Sequence, residues 1–111
     1  MKAIERAKAH FDSLDIKKIS VPEWGEDGQP LLIFSKPLTL QETSKLFRMA
    51  KEDDMAMLAY VLIYKAIDEN GDKIFSLEDK NTLLNKVDRN VLIRVSNEIM
   101  AEQPEEEVKK N

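Results

Sequence analysis

The chain has 111 residues, of which 42% are hydrophobic and 34% charged, a balance typical of one globular domain rather than of a disordered segment. Its formal net charge of -4 gives no general attraction to nucleic acid or to an anionic membrane. It contains no cysteine and one histidine, which excludes disulfides, thiolate nucleophiles and zinc sites built from several imidazoles.

The first residues, MKAIERAKAHF, place charges among the apolar positions and lack the continuous apolar segment of a signal peptide. A cytoplasmic location is therefore expected. From Lys2 to Leu14 the apolar residues recur at helical spacing, which predicts a surface helix with a narrow apolar stripe. The stripe consists of Ile4, Ala7, Phe11 and Leu14. His10 lies beside it and is interpreted as a solvated or half-packed side chain rather than a catalytic one.

A β-hairpin is predicted at about residues 16–35. From Ile16 to Val21, β-branched residues alternate with polar ones, as a half-buried strand requires. Leu31 to Phe34 is the second strand candidate, and its apolar run indicates cover on both faces. Because an isolated hairpin is marginally stable, it is expected to pack on helices or to pair with the edge of another chain.

Between these strands, Trp24-Gly25 and Asp27-Gly28 supply turn residues. Pro22 cannot donate to a ladder, so it marks the end of the first strand or an edge. Trp24 at the hairpin tip is either an exposed anchor for a partner protein or folds back onto the first helix.

Helical signals follow the hairpin. Thr39 and Glu42 form a capping box that begins a helix, and the acidic run 52–54 suits the start of the next one. The segment from Met55 to Ile67 is apolar nearly all round but shorter than the roughly 20 residues that a bilayer span needs. It is predicted to be the central core helix, ended by Asn70-Gly71.

Ser76, with Asp79 three residues later, begins another predicted helix, and Asp88 caps a last one that ends before Pro104. The sequence thus predicts a single domain at residues 1–103. Its fold class is α+β and predominantly α-helical: an N-terminal helix, a β-hairpin, then about four helices around a central apolar helix. Residues 104–111 are interpreted as a flexible polar tail.

The segment from Asp68 to Asp79 resembles the opening of an EF-hand calcium loop. Asp68, Asn70 and Asp72 have the spacing of its first oxygen ligands. However, the position of the invariant glycine holds Lys73, and the last position holds Asp79 in place of glutamate. An ordinary connection between two helices is therefore favoured, and an EF-hand-like calcium module remains as an alternative.

No catalytic site is predicted. The acidic runs at 52–54 and 105–107 lie in polar sequence, whereas acid–base catalysis needs carboxylates in unlike, partly buried environments. The serines and threonines lack a plausible histidine partner, there is no Gly-rich phosphate loop, and basic residues are not interleaved with aromatic ones. We therefore expect no enzymatic activity, no cofactor, no metal, and no nucleic-acid or membrane partner.

Three methionines cluster near one predicted helix junction, namely Met49, Met55 and Met57. Their flexible thioethers either offer an adaptable surface to partner helices or fill the core. Together with Trp24 they are the candidate partner-binding residues.

Three passages carry a family resemblance: VPEWG (Val21 to Gly25), KPLTLQE (Lys36 to Glu42) and DENGDKIFSLED (Asp68 to Asp79). In them the chain resembles the tail assembly chaperones of bacteriophages and prophages. The resemblance implies a non-enzymatic protein that binds the tape measure protein, helps recruit the tail tube protein and is absent from the mature virion. It supplies no binding residues that can be carried over. Self-association through the hairpin edge is also expected, and a small adaptor or regulatory domain is the alternative function.

Overall fold

The computed structural model describes residues 2–101, so the predicted tail at 104–111 lies outside the described residues. In chain order the elements are α1 (Ala3–Asp12), β1 (Lys17–Glu26), β2 (Gln29–Ser35), α2 (Leu40–Met49), α3 (Asp54–Lys65), a 3₁₀ turn (Leu77–Asp79), α4 (Lys80–Asn85) and α5 (Arg89–Met100). This is the predicted α+β arrangement, with an antiparallel hairpin after the first helix and mostly helix beyond it.

The hairpin turn is Asp27-Gly28, where both residues have positive φ (53° and 76°), as the tight turn that matches strand twist requires. The prediction that Trp24-Gly25 also belongs to the turn is wrong, because both residues lie inside β1. Pro22 does not end the strand either. It falls in the stretch between Val21 and Glu26 where the pairing register shifts, so its missing N–H costs no ladder hydrogen bond.

The core lies between one face of the hairpin and the inward faces of the helices. Along β1, Ile19 and Val21 are buried while Lys18 and Ser20 are exposed, which confirms the predicted alternation. The buried apolar cluster comprises Ile19, Val21, Ile33, Leu46, Ala59, Val61, Leu62, Ile63, Ala66, Leu83, Val91, Leu92, Val95 and Ile99.

Helix α3 is the centre of the domain, in contact with α2, α4 and α5, as its nearly continuous apolar sequence predicts. Its predicted end is wrong, since it stops at Lys65, well before Asn70-Gly71. There Ala66 is extended, and Ile67 exchanges backbone hydrogen bonds of 2.9 and 2.8 Å with Phe34 of β2. The competing bridge to the hairpin ends the helix, because the same backbone groups cannot serve both structures.

The predicted helix caps are present. Thr39 Oγ1 accepts from the Glu42 N–H (3.1 Å), and Glu42 Oε1 accepts from the Thr39 N–H (3.0 Å). Asp53 and Asp88 cap α3 and α5 through their side chains. Leu40, the first residue of α2, is 87% exposed, because this helix packs through its second half, where Leu46 is buried.

Two polar contacts fix β1 against α5. Lys17 Nζ donates to carbonyl oxygens at the C-terminal end of α5, including that of Glu98 at 2.8 Å, and partial desolvation lowers its pKa. Further along the strand, Arg94 forms a two-pronged pair with the carboxylate of Glu23, at 2.8 and 2.9 Å. The hairpin is thereby held to α5 at two points along its first strand.

Candidate interaction surface

An open apolar groove lies between the hairpin and the segment that leads into α4, with a volume of about 440 Å³. We call it the Trp24 groove. Its apolar walls are Trp24, Leu31, Ile74, Phe75, Leu83 and Val87. A second cavity of about 400 Å³ shares Trp24 and Leu31 and continues along the hairpin to Glu26, Pro30 and Glu69. The two cavities therefore adjoin at Trp24 and Leu31.

Trp24 is half-buried, and its ring meets that of Phe75 edge to face, with centroids 6.1 Å apart. The interpretation that it folds back onto the first helix is therefore wrong. The backbone beside it is closely packed, since a Cβ atom at Gly25 would lie 1.9 Å from the carbonyl oxygen of Gln29. Glycine is required there for the hairpin to keep this shape, and the hairpin in turn places the indole.

The opposite wall of the groove is presented by the loop that follows α3. Asp68 Oδ1 accepts from the N–H groups of Asn70 (2.8 Å) and Asp72 (3.0 Å), and Gly71 takes a positive φ of 90°. The loop closes with a bridge between Ile67 and residue 73, and this delivers the next two residues, Ile74 and Phe75, to the groove.

This loop is not built as an EF-hand. Helix α3 ends at Lys65 rather than running into it, and the Asp68 carboxylate is occupied by backbone donors. Among residues 2–101 there is no group of three His, Cys, Asp or Glu side chains placed to hold a metal ion.

The charged side chains that line the two cavities are all acidic. Asp79 lines the Trp24 groove, and Glu26, Asp68 and Glu69 line the adjoining cavity. No lysine or arginine lines either cavity. Within the described chain, Glu26 and Glu69 have no ion-pair partner. The cavity that adjoins the Trp24 groove therefore has an acidic rim, which is open to cations from another molecule.

Three lysines adjoin a groove residue in the sequence; Lys86, next to Val87, is exposed, and the other two are directed onto tyrosines. Lys73 Nζ lies 4.8 Å from the centroid of the Tyr64 ring, and Lys80 Nζ lies 5.3 Å from that of Tyr60. The two rings stack on each other with centroids 6.4 Å apart, and neither lines the groove. These cation–π contacts direct Lys73 and Lys80 toward the tyrosines rather than toward the carboxylates of the two cavities.

A second apolar surface surrounds α1, which has no buried residue. Ile4 is 72% exposed on its stripe, and Phe11 lines a cavity of about 440 Å³ beside Pro37. The polar lining there is mixed, because it contains the salt bridge between Lys65 and Glu42 (3.0 Å). Partial burial disfavours ionised Glu42, but hydrogen bonds from Thr39 and Lys65 outweigh it and lower the pKa. His10 is exposed on the same helix.

The predicted methionine surface does not meet Trp24. Met49 and Met57 are half-buried against the core, Met55 is 58% exposed, and none of the three lines the Trp24 groove. Sequence reasoning missed the other walls of the groove, above all Phe75. The sequence contains one signal for this wall. The apolar residues Ile74 and Phe75 directly follow the loop at 68–73, and neither belongs to a helix whose core face would account for it.

Comparison with known proteins yields no family model, no curated protein and no solved structure that matches this chain. Across residues 2–101, no helix has both the length and the apolar character that crossing a membrane requires.

Proposed function

We propose that this chain is a non-enzymatic tail assembly chaperone of a bacteriophage or prophage. It binds the tape measure protein through the Trp24 groove, in the cytoplasm of the bacterial host, and assists assembly of the tail tube without entering the mature virion. The observation that carries the proposal is the open apolar groove, whose indole and most of whose neighbouring side chains are only partly buried.

Two of the three passages that resemble this family meet at the groove. VPEWG contributes Trp24 and, through Gly25, the shape of the hairpin beside it. DENGDKIFSLED contributes the opposite wall, with Phe75 in contact with the indole. Two of the passages that suggest the function therefore also supply residues of the surface that is proposed to perform it.

The chemistry of the groove suits a helical client. An amphipathic helix places large apolar side chains every three or four residues, and a cavity of about 440 Å³ accommodates such anchors. A long tape measure protein repeats this pattern many times, so many weak contacts along one chain add up to stable coverage. The acidic rim and the net charge of -4 would keep the coated client in solution.

Co-expression tests the proposal. The long helical tape measure protein encoded near this gene is expressed alone and together with the chain, and soluble tape measure protein is quantified after centrifugation. Co-expression is expected to move it into the soluble fraction as a complex that contains both proteins. If it stays insoluble, or becomes soluble without the chain bound, the chaperone function is rejected, and an adaptor for one folded partner becomes the better interpretation.

A paired substitution locates the binding surface. Thr82 is exposed on α4 and lines the Trp24 groove, so Thr82→Arg inserts a long side chain into the groove without disturbing the core. Asn81→Arg makes the same change at the adjacent exposed position, which does not line the groove. We expect the first variant to solubilise much less tape measure protein and the second to match the parent chain.

A further inference from the structure

Helix α1 leaves its apolar stripe exposed, although a helix of its length needs packing to be stable. It has ten residues and no buried side chain, and the apolar Ile4 is 72% exposed. Isolated helices shorter than roughly 12–15 residues are marginal in water, so a helix this short gains most of its stability by packing its apolar face. The stripe of α1 therefore needs a surface to cover it.

The Trp24 groove is a surface of the matching kind on the same molecule. It is apolar at its centre, and the lining of the groove and of the cavity that adjoins it carries four carboxylates and no cation. The segment 2–12 has three cations (Lys2, Arg6 and Lys8) against the two anions Glu5 and Asp12. Lys8 lies beside the stripe between Ile4 and Phe11, where it pairs with Asp12 at 2.9 Å in an exposed contact that another carboxylate can replace. The apolar stripe and net positive charge of α1 thus complement the apolar walls of the groove and the carboxylates beside it. Two α1 helices packed together would instead bring charges of the same sign together.

The α1 of the same chain is positioned elsewhere. Its Phe11 lines the cavity beside Pro37, at the open end of the hairpin. Trp24 lies seven residues further along β1 than Lys17, which at about 3.3 Å per residue is roughly 23 Å away. A helix seated at one end of the hairpin does not cover a groove at the other, so the groove is open to a second molecule.

We propose that α1 of one copy docks in the Trp24 groove of a second copy. Ile4 enters the apolar groove, and Lys8 exchanges its contact with Asp12 for the carboxylates of Glu26 and Glu69 in the adjoining cavity. The contact goes beyond the tape measure interaction and does not depend on it. If the proposed function also holds, the tape measure protein displaces α1, so the groove is covered by a second copy until its client arrives.

The contact is expected to be weak. A ten-residue helix is about 15 Å long and about 10 Å across, which covers less than the roughly 800 Å² per partner of a standard stable interface. Association should therefore depend on protein concentration and on salt, because part of it is electrostatic. Weak association of this kind permits displacement by a client that offers many sites.

Sedimentation velocity of the full chain over a range of concentrations provides the first test, with a monomer mass of 12.8 kDa as the reference. The single tryptophan reports on the groove, so its emission should shift to shorter wavelength as association covers it. Ile4→Asp should weaken association at least about tenfold, the effect of losing ~1.4 kcal/mol of contact energy. The matched control is Leu40→Asp, an equivalent change at another exposed leucine, which should leave association unchanged.

The groove side is tested with the double variant Glu26→Lys and Glu69→Lys, whose members are both exposed and make no ion pair within residues 2–101. It should also be monomeric, with an unchanged circular dichroism spectrum. Mixing it with Ile4→Asp then distinguishes the modes of association. The double variant supplies an intact α1 and Ile4→Asp supplies an intact groove, so the two monomeric proteins should associate with each other.

Three results would overturn the inference: a parent chain that stays monomeric at every concentration, association that persists in Ile4→Asp, or two variants that fail to associate when mixed. The last result would indicate contact between two α1 helices or between hairpin edges. None of these results bears on the chaperone function, because solubilisation of the tape measure protein is measured separately.

Discussion

The ring of Trp24 stands nearly perpendicular to the ring of Phe75, at an interplanar angle of 78° and a centroid distance of 6.1 Å. This pair joins the hairpin to the segment that follows α3, which the backbone bridge between Phe34 and Ile67 also connects. The shape of the Trp24 groove therefore depends on an aromatic contact between residues far apart in the sequence.

The first prediction concerns this pair. Phe75→Leu keeps the site apolar but removes the edge-to-face contact, which is worth about 0.5–1.5 kcal/mol beyond the buried area. The free energy of unfolding should fall by about 1–2 kcal/mol, and Trp24 emission should move to longer wavelength. Leu77→Ala is the control, since this neighbouring leucine is 55% exposed and should cost less than about 0.5 kcal/mol. An unchanged emission spectrum in Phe75→Leu would show that the pair does not hold the indole.

The second prediction concerns Ser96, a fully buried residue of α5 whose Oγ donates to the Leu58 carbonyl of α3 at 2.8 Å. In Ser96→Ala that carbonyl keeps its hydrogen bond within the helix, so the cost should be about 0.5–1.5 kcal/mol. Ser96→Val adds volume at a tight contact between helices and should cost more, about 1–3 kcal/mol. Urea unfolding of both variants checks the order. If valine stabilised the protein relative to alanine, this interface would be looser than the contact implies.

The third prediction compares two glycines of the hairpin. At Gly28 a Cβ atom meets open space. Gly28→Ala should therefore lower the free energy of unfolding only through the strain of the positive φ of 76°, by about 1–2 kcal/mol. At Gly25 the Cβ atom would lie 1.9 Å from a backbone oxygen, so Gly25→Ala must distort the hairpin and should cost more than Gly28→Ala. Thermal unfolding ranks the two variants. Trp24 emission should change only in Gly25→Ala, because that residue adjoins the indole.

The fourth prediction concerns acid stability. Hydrogen bonds from Arg94 lower the pKa of Glu23 from 4.5 to about 2. Because the folded-state pKa is the lower one, the pair stabilises the fold fully above about pH 4.5, and this contribution is lost as the pH falls toward 2. Glu23→Gln should therefore be less stable than the parent at neutral pH, with a difference that shrinks between pH 4.5 and 2.

Urea midpoints measured across this pH range provide the check. Glu78→Gln is the control, since Glu78 is exposed and makes no ion pair within residues 2–101. It should follow the parent chain at each pH. A difference between Glu23→Gln and the parent that stayed constant down to pH 2 would show that the carboxylate charge is not what stabilises the contact.

Several elements of this protein could be predicted because they are encoded within a few residues. The Asp27-Gly28 turn needs only two residues that tolerate positive φ, and the box of Thr39 and Glu42 closes over one helical turn. The alternation at Ile19 and Val21 likewise assigns one face of β1 to the core before any partner is known.

Other features were decided by contacts between distant segments. The apolar sequence of α3 continues to Ile67, yet the helix stops at Lys65 because Ile67 pairs with Phe34 of the hairpin. Nothing within a local window distinguishes a residue that extends a helix from one that bridges to a strand, because both conformations satisfy its backbone.

The sequence by itself determined the fold class, the order of the elements and the helix caps, and its composition excluded disulfides and a zinc site built from several histidines. Only the tertiary structure decided where the binding surface lies. It brought Trp24 against Phe75 and separated both from Met49, Met55 and Met57, which share no groove with them. The physical reason is that propensity and capping act over a few residues, whereas a groove exists only where surfaces from remote segments meet and remain uncovered.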